Sequence, residues 1–172
     1  AQFLLASMDW IKPEQMSPMR PISLKARDGT ELQGYLTVPA GSSGKNLPMI
    51  LHPHGGPFGI RDSWGFDPTV QFLASRGYAV LQLNFRGSGG YGSAFIEKGY
   101  KKWGTELIDD MTDAVNWVVA QGIADKNRLC TFGASYGGYA ALQAVVREQG
   151  KYRCAIGYIG VYDIPMLFKD GD

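Results

Sequence analysis

Four short apolar runs, PMILH, YAVLQLNF, RLCTFG and CAIGYIGVY, recur from residue 48 onward, and a segment of helical character separates each from the next. The separators are PTVQFLASRG, TELIDDMTDAVNWVVAQG and SYGGYAALQAVVREQG. Apolar runs this short, without polar alternation, suit strands buried on both faces, as parallel strands under helices are. In the second separator Leu107, Met111, Ala114, Val115 and Val118 fall at three- and four-residue steps, one face of an amphipathic helix. Alternating strands and helices predict an α/β fold: a mostly parallel sheet flanked by helices. Ahead of it, ISLKARDGTELQGYLTVP alternates on both sides of Asp28-Gly29, the dipeptide of a tight turn, which predicts an N-terminal antiparallel hairpin. Residues 1–20 carry prolines without periodicity and read as a linker or tail with an apolar anchor at Phe3, Leu4 and Leu5; residues 21–172 read as the domain.

Bulk properties narrow the function classes. With 45% hydrophobic and 19% charged residues in 172, the chain is a globular protein with a real core. A net charge of +1 and scattered basic residues give no electrostatic case for nucleic acid or an anionic membrane as partner. No run approaches the ~18 apolar residues of a membrane span. The opening AQFLLASM lacks the basic leader of a signal peptide, so cytoplasm is the expected compartment, or the periplasm if a longer chain carries a signal. Two cysteines, Cys130 and Cys154, cannot define a disulfide scaffold; in apolar segments they are expected to be reduced and buried.

Gly133-Ala134-Ser135-Tyr136-Gly137 fits G-x-S-x-G between a strand and a helix, the setting of a nucleophilic serine. Glycines two residues either side let a strained reversal form, and the hydroxyl then projects above the sheet edge at a helix N-terminus that favours negative charge. The loop HPHGGPFG, His52 to Gly59, follows an earlier strand, where such enzymes place a second oxyanion donor. His52 and His54 could instead be a metal pair, but with no third histidine and Pro53 between them no metal or cofactor is expected.

HPHGGP, NFRGSGGYG, WGTELIDDMTDAVNWV and FGASYGGYAAL together resemble the catalytic domain of the prolyl oligopeptidase family, closest to its acylaminoacyl and dipeptidyl peptidase branch. The resemblance implies an α/β-hydrolase fold preceded by a β-propeller, with Ser135 as nucleophile and peptides as substrates. It also implies that the Gly56 and Tyr136 N–H groups form the oxyanion hole. His54 stands where some relatives have an oxyanion tyrosine. The triad order is serine, acid, histidine, yet no histidine follows Ser135. Asp163 is the one tempting acid, and the resemblance makes it a wall residue instead. The expectation is a fragment: the opening portion of a peptidase domain, truncated after the strand that follows the nucleophile helix, and inactive alone. Its last strand would then be an exposed apolar edge open to self-association.

Three rival readings fit parts of the same sequence. An esterase on the same fold uses the same groups. Gly87-Ser88-Gly89-Gly90-Tyr91-Gly92 fits the dinucleotide pattern G-x-G-x-x-G, but SAFIEKGYKKWG, broken by Gly99 and Gly104, is not the helix such a turn opens into; a glycine-rich loop beside the active site is expected. A non-catalytic interaction module would have no reason to keep the serine and both oxyanion elements. Arg86 is expected to be a structural ion-pair residue, Asp109, Asp110 and Asp113 to serve the helix dipole, and Trp64, Phe66, Tyr100 and Trp103 to pack beneath loops.

Overall fold

The structure is a computed structural model that describes residues 10–170, so Phe3, Leu4 and Leu5 lie outside the described residues. A short 3-10 turn, Pro13–Gln15, leads into a hairpin of β1 (Met19–Lys25) and β2 (Glu31–Thr37). Then come β3 (Leu47–Leu51), α1 (Pro68–Ser75), β4 (Ala79–Asn84), α2 (Ser93–Glu97), α3 (Glu106–Ala120), β5 (Ala124–Ala134), α4 (Tyr136–Arg147), β6 (Cys154–Tyr158) and α5 (Ile164–Asp170). The strands form one sheet in the order β1-β2-β4-β3-β5-β6, antiparallel through β1-β2-β4 and parallel from β4 to β6. This is the expected α/β architecture.

Local chemistry sets the elements. The hairpin closes through a three-residue loop, Arg27-Asp28-Gly29, with Gly29 at φ +84° and Ala26 N–H donating to the Thr30 carbonyl. Helix α1 starts where Asp67 accepts from the Val70 N–H at 2.9 Å and Pro68 presets the first turn. The predicted stripe of α3 is fully buried. Residues ahead of β1 are tied down too: Ser17 exchanges backbone bonds with the Gln71 amide at 2.8 and 3.0 Å.

The two faces of the sheet differ. Met49, Leu51, Leu81, Leu83 and Leu129 join α3 and α4 in the main core. Their alternate neighbours Ile50, Cys130 and Phe132 point the other way, where with Ile156, Phe72 and Leu73 they line an open apolar cavity of about 580 Å³ beside α1.

Three expectations need correction. Cys130 and Cys154 are directly opposed on β5 and β6, with Cα atoms 4.8 Å apart, and form a disulfide; Cys154 is exposed because β6 is the edge strand. The α3 carboxylates do more than serve the dipole. Asp110 is fully buried against Arg86, and Asp109 and Asp113 bind Arg27. Of the loop aromatics, Trp103 packs against Tyr136 and Tyr139, but Trp64, Phe66 and Tyr100 are exposed.

Candidate active site

Strand β5 must reverse into α4 within one residue, and Ser135 absorbs the reversal at φ 56°, ψ −126°, a conformation side chains other than glycine rarely adopt. Two close approaches hold it there. A Cβ on Gly133 would run into the Gly137 carbonyl, and one on Gly137 into the Pro53 carbonyl. The Ser135 N–H donates to the Tyr158 carbonyl at 3.0 Å, fastening the elbow to the end of β6. Pinned on both sides, the backbone leaves Ser135 exposed above the carboxyl ends of the parallel strands.

Tyr136 opens α4, so its N–H has no acceptor within the helix. Its ring points inward, buried among Phe85, Trp103 and Tyr139, with the hydroxyl donating to the Trp103 carbonyl at 2.8 Å. Burial raises the phenol pKa, so the hydroxyl stays protonated. Its backbone, not its side chain, therefore meets the site. The loop after β3 arrives from the other side. A Cβ on Gly55 would sit 3.5 Å from Ser135 Cβ and 3.9 Å from its Oγ, so this loop touches the serine. Gly56 follows at φ +118°. The fold thus brings Ser135, Tyr136 and the Gly55-Gly56 pair together.

Among the described residues neither histidine is hydrogen-bonded to the serine. The His52 Nδ1–H donates to the Phe132 carbonyl at 2.6 Å, with the ring stacked on Phe132. His54 stacks on Phe85 at 4.3 Å and uses both nitrogens, Nδ1 with the Gly55 carbonyl at 2.7 Å and Nε2 with Ser88 Oγ at 2.9 Å. Burial pushes its pKa down to about 4, which keeps the ring neutral. Among the described residues no hydrogen bond joins either imidazole to Ser135, and no three His, Cys, Asp or Glu side chains gather as a metal site. Asp163 is exposed and accepts from the Met166 N–H at 2.8 Å, at the start of α5.

The loop 86–90 packs beside this site and is laced to it. Gly59 N–H donates to the Gly87 carbonyl at 3.1 Å, and Gly89 N–H to the Ile60 carbonyl at 2.9 Å. Only the five-residue α2 follows, so the dinucleotide pattern lacks its helix. Arg86 anchors the loop from below: its Nε and Nη2 grip Asp110, its N–H donates to the same carboxylate, and Nη1 reaches Asp28. The Asp110 hydrogen bonds hold the guanidinium pKa above its usual range. Sequence reasoning missed the His54–Ser88 pair, and no spacing could have found it, because the partners are 34 residues apart and meet only when β3 and β4 pair.

Comparison with known proteins finds matches in family, sequence and fold. The prolyl oligopeptidase family model matches residues 64–172. The chain is 36% identical to dipeptidyl aminopeptidase BIII of Pseudoxanthomonas mexicana, over 96% of its own length and 25% of that protein's. It is 32% identical to the acylamino-acid-releasing enzyme of Arabidopsis thaliana over 72% of its length and 17% of the relative's. Among solved structures, a puromycin-hydrolyzing peptidase of Mycobacterium tuberculosis superposes with a TM-score of 0.86 at 30% identity, covering 94% of this chain and 25% of that one. The chain thus spans between 17% and 25% of the length of these relatives. With a family model that matches more than half of its residues, and relatives above 30% identity over nearly its whole length, the chain belongs to the prolyl oligopeptidase family.

Proposed function

We propose that residues 21–172 supply the nucleophile and oxyanion portion of a serine peptidase site, with residues 1–20 leading in from an upstream propeller. Ser135 attacks a peptide carbonyl, and the oxyanion that develops is bound by the N–H groups of Gly56 and Tyr136. The acyl-enzyme is then released by water. The base and acid come from outside the 172 residues, since among the described residues neither imidazole is hydrogen-bonded to Ser135. The observation that carries this reading is a single one: an exposed serine in strained backbone, with a helix N-terminus on one side and a diglycine loop on the other. Peptides are the substrate class it suits. The disulfide argues for an oxidising compartment such as the periplasm over the cytoplasm, where such thiols are kept reduced.

Intact-mass spectrometry with a fluorophosphonate probe tests this. The full-length protein should take one adduct, absent in Ser135→Ala, while the 172-residue chain should label about 10³-fold more slowly for want of its base. A full-length protein that does not label, or labels equally as Ser135→Ala, would overturn the proposal.

A further inference from the structure

We propose that the Cys130–Cys154 bridge positions the nucleophile: it locks β6 in the register at which the Tyr158 carbonyl holds Ser135, so that the elbow is set only when the bridge is closed. This rests on the reading of Ser135 as the nucleophile. The two cysteines are register partners with Cα atoms 4.8 Å apart, inside the span a disulfide needs. Their separation of 24 residues makes a covalent ring that contains Ser135, the whole of α4 and the turn back to β6. From the bridge the ladder runs through consecutive pairs to Ala134 and Tyr158, about 13 Å along the strand. At that far end the Ser135 N–H donates to the Tyr158 carbonyl at 3.0 Å.

Packing alone gives this end of β6 little to hold its register. The strand rests on α4 through glycines. A Cβ on Gly138 would sit 3.0 Å from the Tyr158 carbonyl and 3.1 Å from Gly160 Cα, and one on Gly157 would sit 3.0 Å from the Gly138 carbonyl. Such contacts allow close approach and offer no side chain to interlock. On the strand's other edge no partner lies among the described residues, and Ile156 and Tyr158 are exposed. A slide by two residues would keep every side chain of β6 on its own face, and would bring the Ile156 or Gly160 carbonyl to the serine in place of Tyr158. The bridge forbids the slide, because the sulfurs meet only where Cys130 opposes Cys154. Thiols are kept reduced in a cytoplasm, so there the elbow stays slack, and it tightens once the chain enters an oxidising compartment. Closure turns two thiols into one disulfide. The two electrons and two protons pass to a disulfide oxidant, which leaves as a dithiol.

The test uses the full-length protein and a chromogenic peptide substrate. Peptide mapping after alkylation first reports the bridge: Cys130 and Cys154 should be joined in protein incubated with oxidised glutathione, and each should carry an adduct in protein incubated with dithiothreitol. Reduction should lower kcat about 10-fold with little change in KM, and reoxidation should restore it. Hydrogen exchange read by mass spectrometry should show the peptide that contains Ser135 losing protection about 10-fold on reduction while α3 keeps its own. Cys130→Ala/Cys154→Ala should start at the reduced level and ignore dithiothreitol, which separates this bridge from any other thiol in the longer protein. If that variant does not fold, the reduced wild type decides. Cysteines that stay free under the oxidant, a reduced enzyme with undiminished kcat, or protection lost equally over α3 would each overturn the inference while Ser135→Ala remains inactive. If Ser135→Ala keeps its activity, the underlying reading fails and takes the inference with it.

Discussion

Asp62 shows how one buried group makes this fold sensitive to pH. Its backbone is clasped by the Asn84 side chain, and its Oδ1 accepts from Gln82 Nε2 at 3.0 Å. Its Oδ2 is buried without a partner, and so is Gln82 Oε1 on the same amide. Burial, partly opposed by the Gln82 hydrogen bond, pushes the Asp62 pKa up to about 7. A proton on Oδ2 would give one of two orphaned acceptors something to donate. The folded state therefore holds a proton that the unfolded chain releases near pH 4. Asp62 contributes its full stability below that pH and loses it as pH rises through about 7. His54 runs the other way: its pKa is lowered, so it costs stability as pH falls below about 6.5. A wild-type profile mixes the two, and the informative comparison is with Asp62→Asn at each pH. Thermal unfolding should show Asp62→Asn gaining on wild type from pH 5 to pH 8, by about 1–3 kcal/mol for a group not wholly sealed from solvent. An unchanged difference across that range would refute the assignment.

Between elements, the decisive polar contact joins the end of β4 to α3. Asp110 is fully buried and the Arg86 side chain only 8% exposed, whereas Arg27, bound to Asp109 and Asp113 nearby, is 51% exposed. Removing one partner of a buried pair strands the other, so Arg86→Met should cost about 3–5 kcal/mol in chemical denaturation. Arg27→Met should cost no more than about 1 kcal/mol. The double variant Arg86→Met/Asp110→Leu should recover much of the loss, and equal costs for the two arginines would contradict this account. Such a pair is hard to read in sequence, because three aspartates at the start of a helix have a sufficient explanation in the dipole. What separates Asp110 from its neighbours is the face it occupies among Leu107, Met111 and Ala114, and the partner that only the sheet order brings near. The strands and helices around the serine are legible for the opposite reason: β4 is buried on both faces and α3 on one, and each leaves its own period in the chain. The elbow is legible because its five-residue pattern lies unbroken between a strand and a helix, although the contact that demands Gly137 comes from Pro53 on a distant loop. The Cys130–Cys154 bridge is not, since it depends on β5 and β6 lying in register, which no local pattern encodes.

For the molecule as a whole, the sheet ends without cover on one side among the described residues. β6 is the outer strand, and Ile156, Tyr158 and Ile159 are 56%, 60% and 74% exposed. Ile156 also closes one end of the apolar cavity that α1 leaves open over Ile50 and Phe132. An unpaired edge with apolar side chains beside an apolar cavity is a surface that water disfavours and that another strand can extend. Within a protein about four times this length, as the relatives are, a further part of the same domain is the natural cover. The 172-residue chain by itself has only other copies to offer, and sedimentation velocity should find its association rising with concentration. Ile156→Lys, placed at the junction of edge and cavity, should shift the 172-residue chain toward monomer at little cost to its folding. In the full-length protein the same lysine would be buried without a partner and should destabilise by several kcal/mol. The opposite signs are the test. A 172-residue chain that stays monomeric at high concentration, or a full-length protein indifferent to the lysine, would mean that this edge faces water in the full-length protein.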